Sequence, residues 1–170
     1  MIRTQRLVLR SFEPTDLGNF AAVLADERTM AAWGGPYDAG QAERELADYL
    51  DHEQRYGFAP FAVLLDGQLV GDLGLQHLEG GEAVELLYRL SSSVWRRGLA
   101  AEAGDATLEY AFSVLRLREV VAVIAEDNRA SQRLAARLGF VAGEPGLYYG
   151  QRLVRHRVTP EPHRRAAARA

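Results

Sequence analysis

Apolar and polar positions alternate over residues 5–12 (QRLVLRSF), which predicts a first strand. Pro14 then stands at a helix start, with Leu17, Phe20, Ala21 and Leu24 recurring at helical spacing. Trp33-Gly34-Gly35-Pro36 reads as a loop, and a polar helix follows from about Gln41 to Arg55. Two apolar runs, 59–65 and 68–78, flank Asp66-Gly67, a strong hairpin signal. Gly71 and Gly74 inside the second run predict a bend or a close backbone approach. A further strand from Glu82 to Leu90 makes the three strands an antiparallel meander. The period then lengthens: Gly98 to Leu117 reads as a long helix, with Leu99, Ala103, Ala106 and Tyr110 on one stripe. Residues 119–125 (EVVAVIA) form a continuous apolar run, as expected of a strand buried on both faces. Asn128 to Leu138 is helical, with Gly139 where a left-handed terminating residue is wanted. Strands near 140–143 and 147–158 complete the domain. The order β-α-α-β-β-β-α-β-α-β-β predicts an α+β domain with a mixed sheet over residues 1–159. Residues 160–170, rich in Arg, Ala and Pro, are expected to lack fixed structure.

A chain of 170 residues, 48% apolar and 25% charged, suits one globular domain. No cysteine is present, which excludes disulfides, thiolate metal sites and a cysteine nucleophile. All 20 basic residues are arginine, so Schiff-base chemistry and a P-loop lysine are excluded as well. The net charge is −3; three arginines and Glu161 give the tail +2, leaving −5 on residues 1–159. An acidic body is a poor partner for nucleic acid and mildly favours a cationic one. No apolar run approaches membrane-spanning length, and Arg3, Arg6 and Arg10 interrupt the N-terminus, so neither a membrane helix nor a signal peptide is expected and the expected location is cytoplasmic. His52, His77, His156 and His163 show no metal-ligand spacing, so no metal is expected.

The segment richest in chemistry is Ser91-Ser92-Ser93-Val94-Trp95-Arg96-Arg97-Gly98-Leu99-Ala100-Ala101-Glu102-Ala103. A strand ends, a short basic loop follows and a helix begins. Unpaired N–H groups and the positive dipole end at a helix start make an anion site. Gly98 and Ala100 permit close approach of a phosphate, while Arg96 and Arg97 supply charge-assisted bonds. GxxxxGK[ST] and G-x-G-x-x-G are both absent, which disfavours an ATP-hydrolysing or dinucleotide-binding protein. The same stretch also suits a plain strand-to-helix turn with two solvated arginines.

The run Val121-Ala122-Val123-Ile124-Ala125-Glu126-Asp127-Asn128-Arg129-Ala130-Ser131-Gln132, ending at Leu138-Gly139-Phe140, adds a buried strand, an Asn-x-x-Ser helix start and a Gly-Phe stop. Together the two stretches resemble the GCN5-related N-acetyltransferase (GNAT) superfamily: the first its acetyl-CoA pyrophosphate loop (Q/R-x-x-G-x-G/A), the second its Asn-containing strand–helix segment. Thr4-x-Arg6-Leu7-x-Leu9-Arg10, Pro14-x-Asp16 and Glu85-Leu86-x-Tyr88 before Trp95 resemble the branch that acetylates ribosomal-protein N-termini. Trp95 stands where the loop pattern has Gln or Arg, Arg96 where Gly is frequent, and Ala135 where many members carry a thiolate-protonating Tyr.

The resemblance implies a GNAT-like, mostly antiparallel seven-stranded sheet flanked by helices. It implies an acetyl-CoA-dependent N-acetyltransferase in which a primary amine attacks the thioester directly, the acceptor being a protein N-terminus or a small-molecule amine, without metal. Arg96, Arg97, Gly98, Leu99, Ala100 and Asn128 are then the cofactor-binding residues. Glu85 is the candidate general base, in preference to Glu82 nearer a turn, and Ser131 replaces the missing Tyr as proton donor to the thiolate. Backbone N–H groups around Arg89 to Ser91 are the expected oxyanion donors. Trp33 and Tyr37 lie in the loop lining the acceptor site in resembling enzymes, while Tyr148 and Tyr149 are within reach of the site or pack at a strand start. Asn128 and Ser131 also suit a plain helix cap. A catalytically silent acyl-CoA-binding module is the alternative function, and a homodimer is compatible with either.

Overall fold

The computed structural model describes residues 1–167 and has eight strands. These are β1 (Ile2–Arg3), β2 (Leu7–Arg10), β3 (Pro60–Leu65), β4 (Gln68–His77), β5 (Val84–Leu90), β6 (Val120–Ile124), β7 (Val141–Tyr148) and β8 (Gln151–Val158). The helices are α1 (Leu17–Leu24), α2 (Glu27–Met30), α3 (Ala39–Tyr56), α4 (Leu99–Ser113), α5 (Arg129–Arg137) and α6 (Pro160–Ala167). Neighbouring strands follow the order β1-β2-β3-β4-β5-β6-β8-β7, antiparallel at most junctions and parallel where β5 meets β6. This is the expected α+β architecture with one strand more than the seven predicted. The extra strand is β1: Thr4 N–H bonds the Leu7 carbonyl (3.0 Å) and folds the terminus back onto β2. A two-residue strand leaves no alternation to read. Among the described residues no helix is long and apolar enough to cross a membrane.

The chain forms two compact units, residues 1–76 with 87–103, and residues 77–86 with 104 onward; β5 runs through both. In the first unit, Phe12, Phe20, Leu24, Met30, Ala42, Leu46, Tyr49 and Ala62 make a closed core. Ala42, Leu46 and Tyr49 are one stripe of α3, whose exposed face is otherwise polar. Asp38 and Gln41 cap its start reciprocally, and Gly57 ends it. The β3–β4 hairpin turns on Asp66 (φ 51°) and Gly67 (φ 80°), as the sequence predicts. At Gly71 (φ 147°) a Cβ would lie 2.0 Å from the Arg89 carbonyl oxygen, so only glycine lets β4 approach β5 there. At Gly74 a Cβ would lie 2.6 Å from Pro60 Cα, again too close for any side chain.

Before α1, Arg10 grips buried Asp16 with both terminal nitrogens (2.7 and 2.8 Å), which accounts for the Arg10…Pro14-x-Asp16 pattern. That hydrogen bond holds the Asp16 carboxyl below its ordinary value of 3.8, against the opposing effect of burial. A depressed carboxylate contributes stability above its unfolded pKa and loses it as pH falls through the folded value. The urea midpoint of Arg10→Gln therefore falls below that of the native chain at pH 7, and the gap narrows below pH ~3.8. An unchanged gap at pH 3 would contradict this assignment.

In the second unit, β6, β8 and β7 form an antiparallel ladder, and Glu85 of β5 pairs with Val121 of β6. The last two strands differ from expectation, which broke the chain at residues 144–146. Pro145 is instead inside β7, at the sheet edge beside a register shift, where a missing N–H costs no ladder bond. The turn falls at Tyr149 (φ 52°) and Gly150 (φ 70°). Likewise α4 ends at Ser113 rather than Leu117, because Arg116 turns left-handed (φ 58°) and Leu117 N–H bonds back to the Ala111 carbonyl.

Of the tail expected to lack fixed structure, residues 160–167 instead form a helix. Pro160 opens α6, where its missing N–H costs nothing. His163 is buried, 5.8 Å from the Phe112 ring, and the Pro162–His163 backbone closes over Gly139, which ends α5 at φ 91°. One anchoring histidine among Arg and Ala leaves no apolar period in the sequence. Residues 168–170 lie outside the described residues.

Candidate active site

In the first unit, the strand-to-helix passage has the geometry of an anion site. Ser92–Val94 makes one 3-10 turn after β5, and the Trp95 indole N–H donates to the Leu90 carbonyl (2.7 Å). Trp95 thereby clamps the loop onto the end of β5, which accounts for an aromatic residue at this position. Arg96 (φ 61°) and Gly98 (φ 77°) then turn left-handed, and α4 begins at Leu99. The first helical bond runs from Glu102 N–H to the Gly98 carbonyl (3.1 Å), so the preceding N–H groups face outward. Arg96, Arg97 and Gly98 are exposed, and neither guanidinium has a partner among the described residues. Leu99 is buried and anchors the helix in the core, while Ala100 is half-buried at its mouth. Such a loop can hold a diphosphate through backbone N–H groups, the helix dipole and two mobile cations.

The same unit holds a charged cluster that sequence reasoning missed. Arg89 is buried and donates to Asp72 through Nε (3.1 Å) and Nη2 (2.9 Å), and to Glu45 through Nη2 (2.6 Å). The Tyr49 hydroxyl lies 2.5 Å from Arg89 Nη2 and 2.8 Å from Asp72. Burial pushes Asp72 up and Tyr49 well up, while Arg89 stays charged because the neighbouring anions outweigh its own desolvation. Trp33 and Tyr37 cover this guanidinium, with ring centroids 4.9 and 5.9 Å from Arg89 Cζ. Burial, with Glu45 nearby, raises the Tyr37 phenol. The two predicted acceptor residues therefore share one guanidinium as their floor. The available sequence signal was a lone Asp in one apolar strand and a lone Arg in the next. Of the expected oxyanion donors, Ser91 is corrected: its N–H bonds the Val70 carbonyl (2.8 Å) and is not free.

In the second unit, Glu85 is 3% exposed, and the Tyr149 hydroxyl donates to its Oε1. Tyr149 N–H is fixed by Glu79 (2.7 Å) in the β7–β8 turn, which aims the phenol at that carboxylate. Glu82 is exposed near its turn, as expected. Tyr149 thus joins the candidate base, one of the two placements its sequence left open. Asn128 is the N-cap of α5, its Oδ1 accepting from Ser131 N–H (3.1 Å). The cap uses the amide oxygen and leaves the NH2 end uncommitted among the described residues. Ala135 is buried in α5. Among the described residues no three His, Asp or Glu side chains are grouped to hold a metal ion.

Comparison with known proteins agrees with this architecture. The family model of the acetyltransferase (GNAT) domain matches residues 6–141. The YkkB protein of Bacillus subtilis is 28% identical over 141 residues, 80% of this chain and 82% of that protein. The structure of an acetyltransferase from Agrobacterium tumefaciens superposes with a TM-score of 0.81 at 28% identity, covering 92% of each chain. Spermidine N-acetyltransferase from Vibrio cholerae, solved with CoA and spermine, shares the fold at 21% identity, with a TM-score of 0.76 over 93% of this chain and 98% of its own. Matched by the family model over most of its length, the chain belongs to the GNAT acetyltransferase family.

Proposed function

We propose that the protein is an acetyl-CoA-dependent N-acetyltransferase acting on a primary amine. The observation that carries this reading is the exposed Arg96-Arg97-Gly98 loop at the open N-terminus of α4, in a chain of this family. Backbone N–H groups from Gly98 to Ala100 bind the pyrophosphate, Arg96 and Arg97 neutralise it, and the Asn128 amide donates to the pantetheine arm. The neutral amine attacks the thioester carbon, the C–S bond breaks, and the new ammonium loses one proton. Glu85 accepts that proton, directly or through water, and Ser131 donates one to the departing thiolate. Trp33 and Tyr37 line the acceptor side. The −5 charge of residues 1–159 and half-buried Glu45 support a cationic acceptor, of the kind named for the spermidine enzyme.

Ala135 favours one competing reading, a silent acyl-CoA-binding module. Thiol release from acetyl-CoA in the presence of spermidine, an aminoglycoside and an alanine-initiated peptide separates the two. An acceptor-dependent rate well above background with at least one of them supports the enzyme. Tight acetyl-CoA binding with no acceptor-dependent thiol release would favour the module.

A further inference from the structure

The Thr4-x-Arg6 pair is absorbed by neither the core nor the proposed chemistry, yet it meets α4 almost a hundred residues later. The Glu102 carboxylate, in the first turn of α4, accepts from the Thr4 hydroxyl (2.6 Å), Arg6 N–H (2.8 Å), Arg6 Nε (2.7 Å) and Arg6 Nη2 (2.6 Å). The remaining terminal nitrogen of the same guanidinium, Nη1, donates to the Arg97 carbonyl (2.8 Å). One planar fork therefore ties a helix-start carboxylate and a carbonyl of the anion loop into a single unit.

We propose that Arg6 is a positioning residue for the pyrophosphate loop, orienting its backbone and cancelling the negative charge of Glu102 beside it. This rests on the reading of Arg96–Ala100 as the diphosphate site. Two physical arguments carry it. In a trans peptide, C=O and N–H point to opposite sides. Holding the Arg97 carbonyl against Arg6 turns the Gly98 N–H away from Arg6, and the left-handed φ of Gly98 carries the chain into the open helix end. An unneutralised carboxylate in the first turn would also compete with an incoming diphosphate for the same dipole. Glu102 instead spends its lone pairs on Thr4 and Arg6, and these hydrogen bonds outweigh burial to hold its carboxyl below the usual range. The Arg96 and Arg97 side chains remain available for the ligand.

The test compares affinities for acetyl-CoA and for S-acetylpantetheine, which lacks the diphosphate, by titration calorimetry. In the native chain acetyl-CoA binds more tightly. Arg6→Gln weakens acetyl-CoA about tenfold, the scale of one lost charged hydrogen bond, and leaves S-acetylpantetheine unchanged. Arg6→Lys keeps the charge without the fork and falls between, which guards against poor folding of the first variant. Adding Glu102→Gln to Arg6→Gln recovers part of the loss, since the bare carboxylate is removed. Equal loss for both thioesters, or no loss for either, would overturn the role of Arg6 while leaving the loop assignment intact. A native chain that binds the two thioesters equally would overturn the loop assignment and this proposal together.

Discussion

Glu85→Gln lowers kcat by about 10²–10⁴-fold and leaves acetyl-CoA affinity within about twofold. The size follows from the role. The attacking nitrogen becomes an ammonium that must lose a proton before the amide is complete, and a positioned carboxylate that takes it supplies general-base catalysis of that order. The substitution is nearly isosteric, and the amide oxygen of Gln still accepts the Tyr149 hydroxyl, so β5 and the β7–β8 turn keep their contact. Binding is spared because Glu85 is not among the residues assigned to the pyrophosphate or the pantetheine arm, and Gln keeps its size. Tyr149→Phe gives a smaller loss, since the carboxylate remains while its orienting partner goes. Steady-state kinetics at saturating acetyl-CoA, with circular dichroism as the fold control, decide the matter. Full turnover in Glu85→Gln would reduce Glu85 to a buried strand acid held by a tyrosine.

The largest effect on stability is expected at the Arg89 cluster. Asp72→Ala leaves a buried guanidinium with only Glu45 and Tyr49, and breaking a buried pair this way costs about 3–5 kcal/mol. The lower end applies, because Glu45 still compensates the charge. For a domain of this size ~3 kcal/mol is a large share of total stability and lowers Tm by roughly 6–12 °C. Acceptor KM rises too, since Trp33 and Tyr37 rest on the guanidinium. Replacing Asp72 and Arg89 together with Leu and Met recovers part of the Tm, because both fully buried charges go at once and Glu45, left without its cation, is a quarter exposed to water. Chemical denaturation measures both; a cost below ~1 kcal/mol for Asp72→Ala would contradict the assignment of a tightly coupled buried pair.

These two sites were legible in the sequence to different degrees. Glu85 was singled out by the family resemblance and not by its local pattern, whereas the Arg96–Ala100 loop sits in a stretch whose local order is itself the signal: strand, basic turn, small residues, helix. The Asp66-Gly67 hairpin and the Ala42-Leu46-Tyr49 stripe were readable for the same reason, because their causes lie within a few residues of one another. Arg89 was not, since its partners Asp72 and Glu45 lie 17 and 44 residues away and meet it only through strand register and helix packing. Tyr149 was ambiguous until the turn moved to 149–150, which depends on Pro145 being tolerated at a sheet edge. The Thr4-x-Arg6 pattern was visible as a resemblance, but its physical work lies on α4, 96 residues from Arg6. α6 was missed because a single buried His163 anchors it.

The central claim is that the loop before α4 binds acetyl-CoA for transfer to an amine. Calorimetric titration of the native chain with acetyl-CoA, beside ATP and NADH at physiological salt, tests it most directly. The account predicts one-to-one micromolar binding of acetyl-CoA and at least tenfold weaker binding of the other two. A folded chain that ignores acetyl-CoA, or binds ATP as tightly, would contradict it and return Arg96 and Arg97 to an ordinary solvated turn.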